Sequence, residues 1–201
     1  MAQKEKNRKI RAILAGGLVL GVGAAVTLAA WSDSEFATGI FGAGHFNIQG
    51  GTDGVAFSDH ASTGTAANLG FTAGFDNLSP NDTIAAPFVL RLDPETTNNA
   101  TVSVNSASIT GTAATELTYG IVQVDSIEAC DSTAAGTQTI VPSGTAMDSV
   151  TGASTFTLAK SEVDGQAGAR VFLCVQVTAG STIAQGDTAT GTWEFLGTSN
   201  S

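Results

Sequence analysis

Four side chains that could bind a metal or transfer a proton occur close together in the first third of the chain. His45 precedes the stretch GGTDGVAFSDH (residues 50–60), which holds Asp53, Asp59 and His60. Imidazole and carboxylate groups are the usual ligands of Zn²⁺ and of harder cations. The spacing matches neither an HExxH helix nor a DxDxDG calcium loop. We therefore expect a polar loop without a metal, and these four residues are the available ligand set for the metal-dependent alternative.

Nucleophilic and phosphate-binding motifs are missing from the sequence. The chain has many serines but no GxSxG elbow, and no GxGxxG follows a predicted strand. A Ser-His-Asp arrangement stays open, because its members need not be close in sequence. We expect no enzyme activity and no cofactor.

The charge distribution bears on the partners that this protein could bind. Five of the eight basic residues precede residue 12, and from Trp31 onward three basic residues face 17 acids, a formal charge of −14. Such a domain repels phosphate backbones and anionic headgroups. Nucleic acid is therefore not an expected partner.

The N-terminus has the layout of an export signal. A basic n-region (residues 1–11) precedes an uncharged hydrophobic region (residues 12–30) that ends in small residues. We expect cleavage near Ala29 or Ala30. The alternative is retention as a membrane anchor, since about 20 apolar residues can span a bilayer.

The exported part contains both cysteines, Cys130 and Cys174. In an oxidising compartment they could form a disulfide that closes a long loop. Two buried thiols that never meet are the alternative, since sequence alone does not give their separation.

The rest of the chain (residues 31–201) is predicted to be one all-β domain, an antiparallel jelly-roll-like β-sandwich. Apolar residues recur with period two, and turn-forming clusters separate the runs. Pro87, within one run, indicates a sheet edge or a bulge. Residues 129–154 are the most loop-like part. Strands are expected at residues 66–75, 84–92, 100–109, 115–124, 137–141, 154–160, 170–178 and 186–196.

Three stretches resemble the TasA/camelysin family, whose members are exported through a SipW-type signal peptidase in Gram-positive bacteria. They are the signal and its exit GGLVLGVGAAVTLAAWSDSE, the opening strand FATGIFGAGHFNI (residues 36–48), and the turn and strand FDNLSPNDTIAAPFVLRL (residues 75–92). In the third, Asn81 stands where the family has glycine. The closing GTWEFLG (residues 191–197) is similar to the family's last strand, and the resemblance favours the actinobacterial branch.

The resemblance implies a jelly-roll fold and a secreted or cell-surface protein. It also implies assembly into extracellular matrix fibres, with the N-terminal segment of one subunit added as a strand to the next. Strand addition to an open sheet edge is physically sound by itself, and a contact that does not close produces a filament. Within residues 31–48, we expect Phe36, Ile40, Phe46 and Ile48 to form the buried face of this assembly strand.

Two other functions remain open. Camelysin was described as a metalloprotease, so the resemblance carries a secreted metal-dependent peptidase as an alternative. A monomeric surface module that binds a glycan or a protein is the third interpretation. The structural protein, whose partners are further copies of itself and its signal peptidase, is our leading hypothesis.

Overall fold

The structure is a computed structural model that describes residues 2–26, 34–71 and 76–200. The chain divides into two compact units, Met1–Gly42 and Ala43–Ser201. The expected cleavage residues Ala29 and Ala30 lie outside the described residues. The second unit, which holds the strands of the described part, begins at Ala43.

The first unit contains helix α1 (Ala2–Val26), which holds the basic cluster in its first half. No helix within the described residues combines the length and the apolarity that crossing a bilayer requires. Residues 34–42 follow without helix or strand.

The second unit is a sandwich of two sheets in which every pairing between strands is antiparallel. Its eight strands are β1 (Ile48–Gly51), β2 (Thr83–Leu92), β3 (Ala100–Thr110), β4 (Leu117–Val124), β5 (Gln138–Ala146), β6 (Phe156–Leu158), β7 (Val171–Ala179) and β8 (Thr190–Ser199). The larger sheet has the order β1-β2-β7-β4-β5, and the smaller has the order β6-β3-β8. The all-β prediction is confirmed at the level of a two-sheet sandwich.

The main core lies between the two sheets and follows the predicted alternation. Leu90 of β2 and Leu173 of β7 contribute to it from the larger sheet, and Val102 of β3 from the smaller. The ring centroids of Phe88 and Phe195 lie 5.3 Å apart across this core. Aromatic rings at such distances add to the burial of apolar area that holds the sheets together.

A second, smaller cluster covers the outer face of the larger sheet. Cys130 and Cys174 form a disulfide there, packed with Val122 and Val124. The Gln176 amide group donates to two backbone carbonyls of the overlying loop, at 3.0 and 3.1 Å. The disulfide and these hydrogen bonds fasten residues 131–134 onto β7.

The position of Pro87 follows from the extent of β1. Pro87 pairs with Cys174 of β7 on one side, whereas β1 reaches only Val89–Leu92 on the other. A proline has no N–H to donate to a ladder and is therefore found where pairing is one-sided. The prediction of an edge position is therefore correct for Pro87 itself, although β2 as a strand lies between β1 and β7 in the order of the larger sheet.

Two sequence predictions about the elements are wrong. No strand includes residues 66–71, and residues 72–75 of that predicted strand lie outside the described part. Ala67, Leu69 and Phe71 pack against the core from irregular backbone, so their alternation reflected burial and not ladder pairing. In addition, β5 extends to Ala146, so the strand predicted at residues 137–141 ends five positions too early.

Candidate functional site

The four candidate metal ligands each have other partners in the structure. His45 Nε2 lies 3.0 Å from Asp93 Oδ2, and the Asn47 amide group donates to Asp59 Oδ1 at 2.9 Å. Asp53 accepts hydrogen bonds from backbone N–H groups. Within the described residues, no group of three or more His, Cys, Asp or Glu side chains is arranged to hold a metal ion. These hydrogen bonds give the candidate ligands a structural role in surface loops.

His60 makes the contact that comes nearest to acid–base chemistry. Its Nδ1 lies 2.8 Å from the Thr65 carbonyl oxygen, which can only accept, so Nδ1 carries the proton. Nε2 is then an acceptor for the Ser58 hydroxyl at 3.2 Å. The contact resembles that of a nucleophile with its base, but Ser58 is exposed to water, which weakens electrostatic stabilisation. We assign Ser58 and His60 to holding their loop.

A pair of arginines lies over one aromatic ring near this loop. The guanidinium carbons of Arg91 and Arg170 lie 4.0 and 5.9 Å from the ring centroid of Phe57, within the range of cation–π attraction. Gln49 accepts hydrogen bonds from Arg91 Nε and Nη2 at 3.3 and 3.0 Å. We call Arg91 and Arg170 the arginine pair.

The turn before Phe57 is tightly determined by the sequence. Asp53 Oδ1 accepts from the N–H groups of Val55 and Ala56, each at 2.8 Å, and these backbone hydrogen bonds lower the pKa of Asp53. Gly54 adopts φ +67°, a conformation that glycine tolerates best. A Cβ at Gly51 would collide with the Ala56 carbonyl oxygen. The turn therefore fixes the ring over which the arginine pair lies.

The expected assembly strand is divided by the structure. Phe36 and Ile40 belong to the first unit and are 93% and 98% exposed, as is Phe41 at 94%. Ile48, by contrast, is the first residue of β1 and pairs with Leu92, and Phe46 is only 36% exposed. The four residues therefore do not share one strand in this structure, because the chain passes from irregular backbone into the larger sheet between them.

Strand β8 presents the longest regular edge among the described residues. It is ten residues long, lacks proline and pairs with β3 alone. The other three outer strands of the described part are protected or short. Strand β5 is interrupted by Pro142 and by Gly144 with φ +84°, and β6 has three residues. Strand β1 has four residues, and Gly50 on it exchanges two backbone hydrogen bonds with Ser58. Prolines, irregularities and short length are the usual ways in which proteins block unwanted edge pairing. The edge of β8 has no proline and is not short, although its register against β3 shifts once, between Val104 and Ser106.

The one charged side chain of β8, that of Glu194, accepts hydrogen bonds from β3. Glu194 accepts from Asn105 Nδ2 at 2.7 Å and from the Ser106 hydroxyl at 2.9 Å, and these hydrogen bonds lower the pKa of Glu194. Both donors lie where the register of β3 against β8 shifts. Leu196, also on β8, is 47% exposed. The edge of β8 therefore presents backbone N–H and C=O groups without a strand partner, together with the apolar side chain of Leu196. Little charge is left to oppose the pairing of another strand with this edge.

Sequence reasoning did not find the arginine pair, because its members lie on different strands, far apart in the chain. A signal was nevertheless present: these are two of only three basic residues after Trp31. Their adjacency depends on the β2–β7 pairing, which places Leu90 opposite Val171. Composition can therefore mark such residues, but the sheet register is needed to join them.

Comparison with known proteins provides no family for this chain. No family model matches it, and no curated protein matches it either.

Proposed function

We propose that this protein is an exported structural subunit that assembles on or outside the cell surface by adding its N-terminal segment to a neighbouring subunit. The observation that carries the proposal is the nearly complete exposure of Phe36, Ile40 and Phe41. Burying a large apolar side chain contributes about 1.5–3 kcal/mol. A segment that exposes three large apolar side chains needs a partner surface.

The edge of β8 is the acceptor in this proposal. An added strand would supply main-chain hydrogen bonds to Thr190–Ser199 and would cover Leu196. Because the donor segment and the acceptor edge are different surfaces, the contact is heterologous and can repeat without closing. A chain of subunits, such as a fibre of a biofilm matrix, is the resulting assembly.

The TasA/camelysin resemblance supports the same proposal through the turn before β2. Asn81, where that family has glycine, adopts φ +68°, the left-handed conformation that glycine favours. Its N–H donates to the Ala179 carbonyl at 3.1 Å, which ties the turn to the end of β7. The substitution therefore keeps the turn that glycine would allow.

The remaining parts of the proposal follow from this resemblance. We assign the sandwich to the jelly-roll class, because both sheets combine early and late strands. We place the protein outside a Gram-positive, actinobacterial-type cell, after removal of residues 1–30 by a SipW-type peptidase.

The first test removes the donor segment from the exported protein, meaning the product of the full-length sequence recovered from an exporting host. Deletion of residues 34–41 should abolish fibres in electron microscopy and the rise in light scattering with concentration, while circular dichroism still reports a folded sandwich. A finer variant changes Phe36 and Ile40 to serine. The matched control changes Val55 and Val163 to serine as well. Both are exposed apolar residues in loops of the sandwich. Fibres that persist in the deletion variant would reject strand addition.

The second test addresses the acceptor edge. Leu196→Lys places a charge on β8 and should slow assembly without unfolding the sandwich, since charged side chains protect edges. Val163→Lys adds the same charge away from the edge and should assemble normally. Equal rates for the two variants would exclude β8 as the acceptor.

The same samples separate the two alternative functions. A monomeric binding module would show light scattering that does not rise with concentration in the unaltered protein. A metal-dependent peptidase would contain stoichiometric zinc and cleave casein in a chelator-sensitive manner.

A further inference from the structure

We propose that the arginine pair is a docking site for the acidic residues Asp33 and Glu35 of a second copy of this chain. The inference rests on the proposed function and specifies what holds the start of the donor segment. Its experiment is chosen so that it can fail while strand addition stands.

The first observation is that, within the part of the chain that the structure describes, neither arginine of the pair forms an ion pair with a carboxylate. In a domain with 17 acids, the only ion pair among the described residues is that of His45 with Asp93. Arg91 and Arg170 are at most about 10 Å apart, because both distances are measured from the same Phe57 centroid. This upper limit is close to the Debye length at physiological ionic strength, so salt screens the repulsion between the two like charges only in part. An incoming anion would relieve this repulsion.

The second observation is that the site is built before any ligand arrives. Gln49 holds the Arg91 guanidinium through two hydrogen bonds, and the Asp53 turn fixes Phe57. Arg170 is exposed, and its guanidinium carbon lies 5.9 Å from the centroid of the Phe57 ring. Ordering of Arg91 and the ring lowers the entropy that binding must remove.

The third observation is the match with the segment that precedes Phe36. Asp33 and Glu35 are two residues apart, so in an extended chain both carboxylates lie on one side, about 7 Å from each other. That spacing is compatible with two guanidinium groups within about 10 Å. Glu35 is exposed in the structure. Both acids immediately precede the apolar donor residues.

Strand β1 borders both the proposed acceptor edge and the arginine pair. Ile48 contacts β8 at Gly197, and its neighbour Gln49 binds Arg91. Because successive side chains of a strand point to opposite faces, Ile48 packs towards the core and β8, whereas Gln49 and the arginine pair lie on the outer face of the larger sheet. A donor with Glu35 at the Gly197 end of β8 would run antiparallel to β8.

The experiment compares single substitutions that change the net charge equally. Arg170→Gln should reduce the initial rate of assembly of the exported protein about tenfold at low salt and flatten its dependence on sodium chloride, as expected when charge steers association. Lys160→Gln, which removes the third cation of the domain, should leave both unchanged. If Arg170→Gln assembles with the rate and salt dependence of the unaltered protein, the proposal is wrong. Loss of assembly on deletion of residues 34–41 would still support strand addition in that case.

An exchange of charges tests direct contact between copies. Chains with Glu35→Arg and chains with Arg170→Glu should each assemble poorly alone, whereas a mixture of the two should assemble, because every contact then pairs opposite charges. Recovery only when both changes are in one chain would place the contact within a subunit and overturn the proposal. Inorganic phosphate binding at Arg170 without any effect of these variants on assembly would identify a simple anion site and would also overturn it.

Discussion

The Ile48 side chain occupies the space beside β8 that a Cβ at Gly197 would need. Ile48 Cδ1 lies closer to that position than two carbon atoms can approach, and the Phe46 ring is 3.4 Å from it. The absence of a side chain at Gly197 thus allows the start of β1 to close one side of the sandwich. This relationship separates the part of the N-terminal region that belongs to the sandwich from the part that we propose as donor.

Gly197→Val should therefore displace Ile48 and loosen β1. Overpacking of this kind costs about 1–3 kcal/mol, so we expect a fall of that size in the free energy of unfolding. Hydrogen exchange at the amides of Ile48–Gly51 should become faster as well. Gly70→Val is the control, because no atom lies within 4 Å of a Cβ built there. Equal exchange in the two variants would contradict the packing described for Ile48.

Removal of the disulfide should destabilise the sandwich more than removal of the neighbouring hydrogen bonds. Cys130 and Cys174 are separated by 44 positions, and a loop of that length corresponds to about 4 kcal/mol in the chain-entropy model. The double change of both cysteines to alanine should lower the free energy of unfolding in urea by about that amount. Gln176→Ala removes the two hydrogen bonds to the same loop and should cost about 1–3 kcal/mol. A double variant no less stable than Gln176→Ala would show that the cross-link contributes little.

The single tyrosine provides a spectroscopic test of the core. Tyr119 is buried and donates to the Ser149 carbonyl at 2.7 Å, and burial raises its pKa to about 12. An unfolded chain releases the phenolic proton near pH 10. In an ultraviolet titration, tyrosinate should therefore form at a pH about two units higher in the folded protein than in the unfolded chain.

The sign of the matching stability change follows from linkage. Between about pH 10 and pH 12 the unfolded chain binds fewer protons than the folded one, so the free energy of unfolding should fall as the pH rises. Tyr119→Phe lacks the titrating group and should lose less stability over this interval. Parallel pH profiles for the two proteins would contradict the raised pKa.

The sequence predicted those elements whose burial alternates strictly. The residues of β7 that were expected to share a face, including Leu173 and Val175, do line the main core. The same reasoning failed at residues 66–71, because apolar side chains can reach a core from irregular backbone. It also overlooked β1, because Gly50 and Gly51 have no side chains to show a pattern, although both are buried in the sheet.

The candidate site was less predictable than the fold, for a physical reason. The exposed donor residues could be selected by type, but the boundary within residues 31–48 depends on the fit between Ile48 and Gly197. Likewise, the arginine pair depends on the register of β2 against β7. Both are contacts between residues distant in sequence, and local patterns carry no information about them.

The irregularities of β5 have a consequence for the shape of any assembly. Pro142 and Gly144 interrupt the strand that borders the larger sheet, so β5 offers no continuous row of backbone groups. On the proposed mode of assembly, each subunit can then contact two others, one through its donor segment and one through its acceptor edge. Such units grow only by end-to-end extension and cannot branch. A subunit without its donor segment could still receive one, so it would terminate the end at which it bound, and traces of it would shorten the fibres.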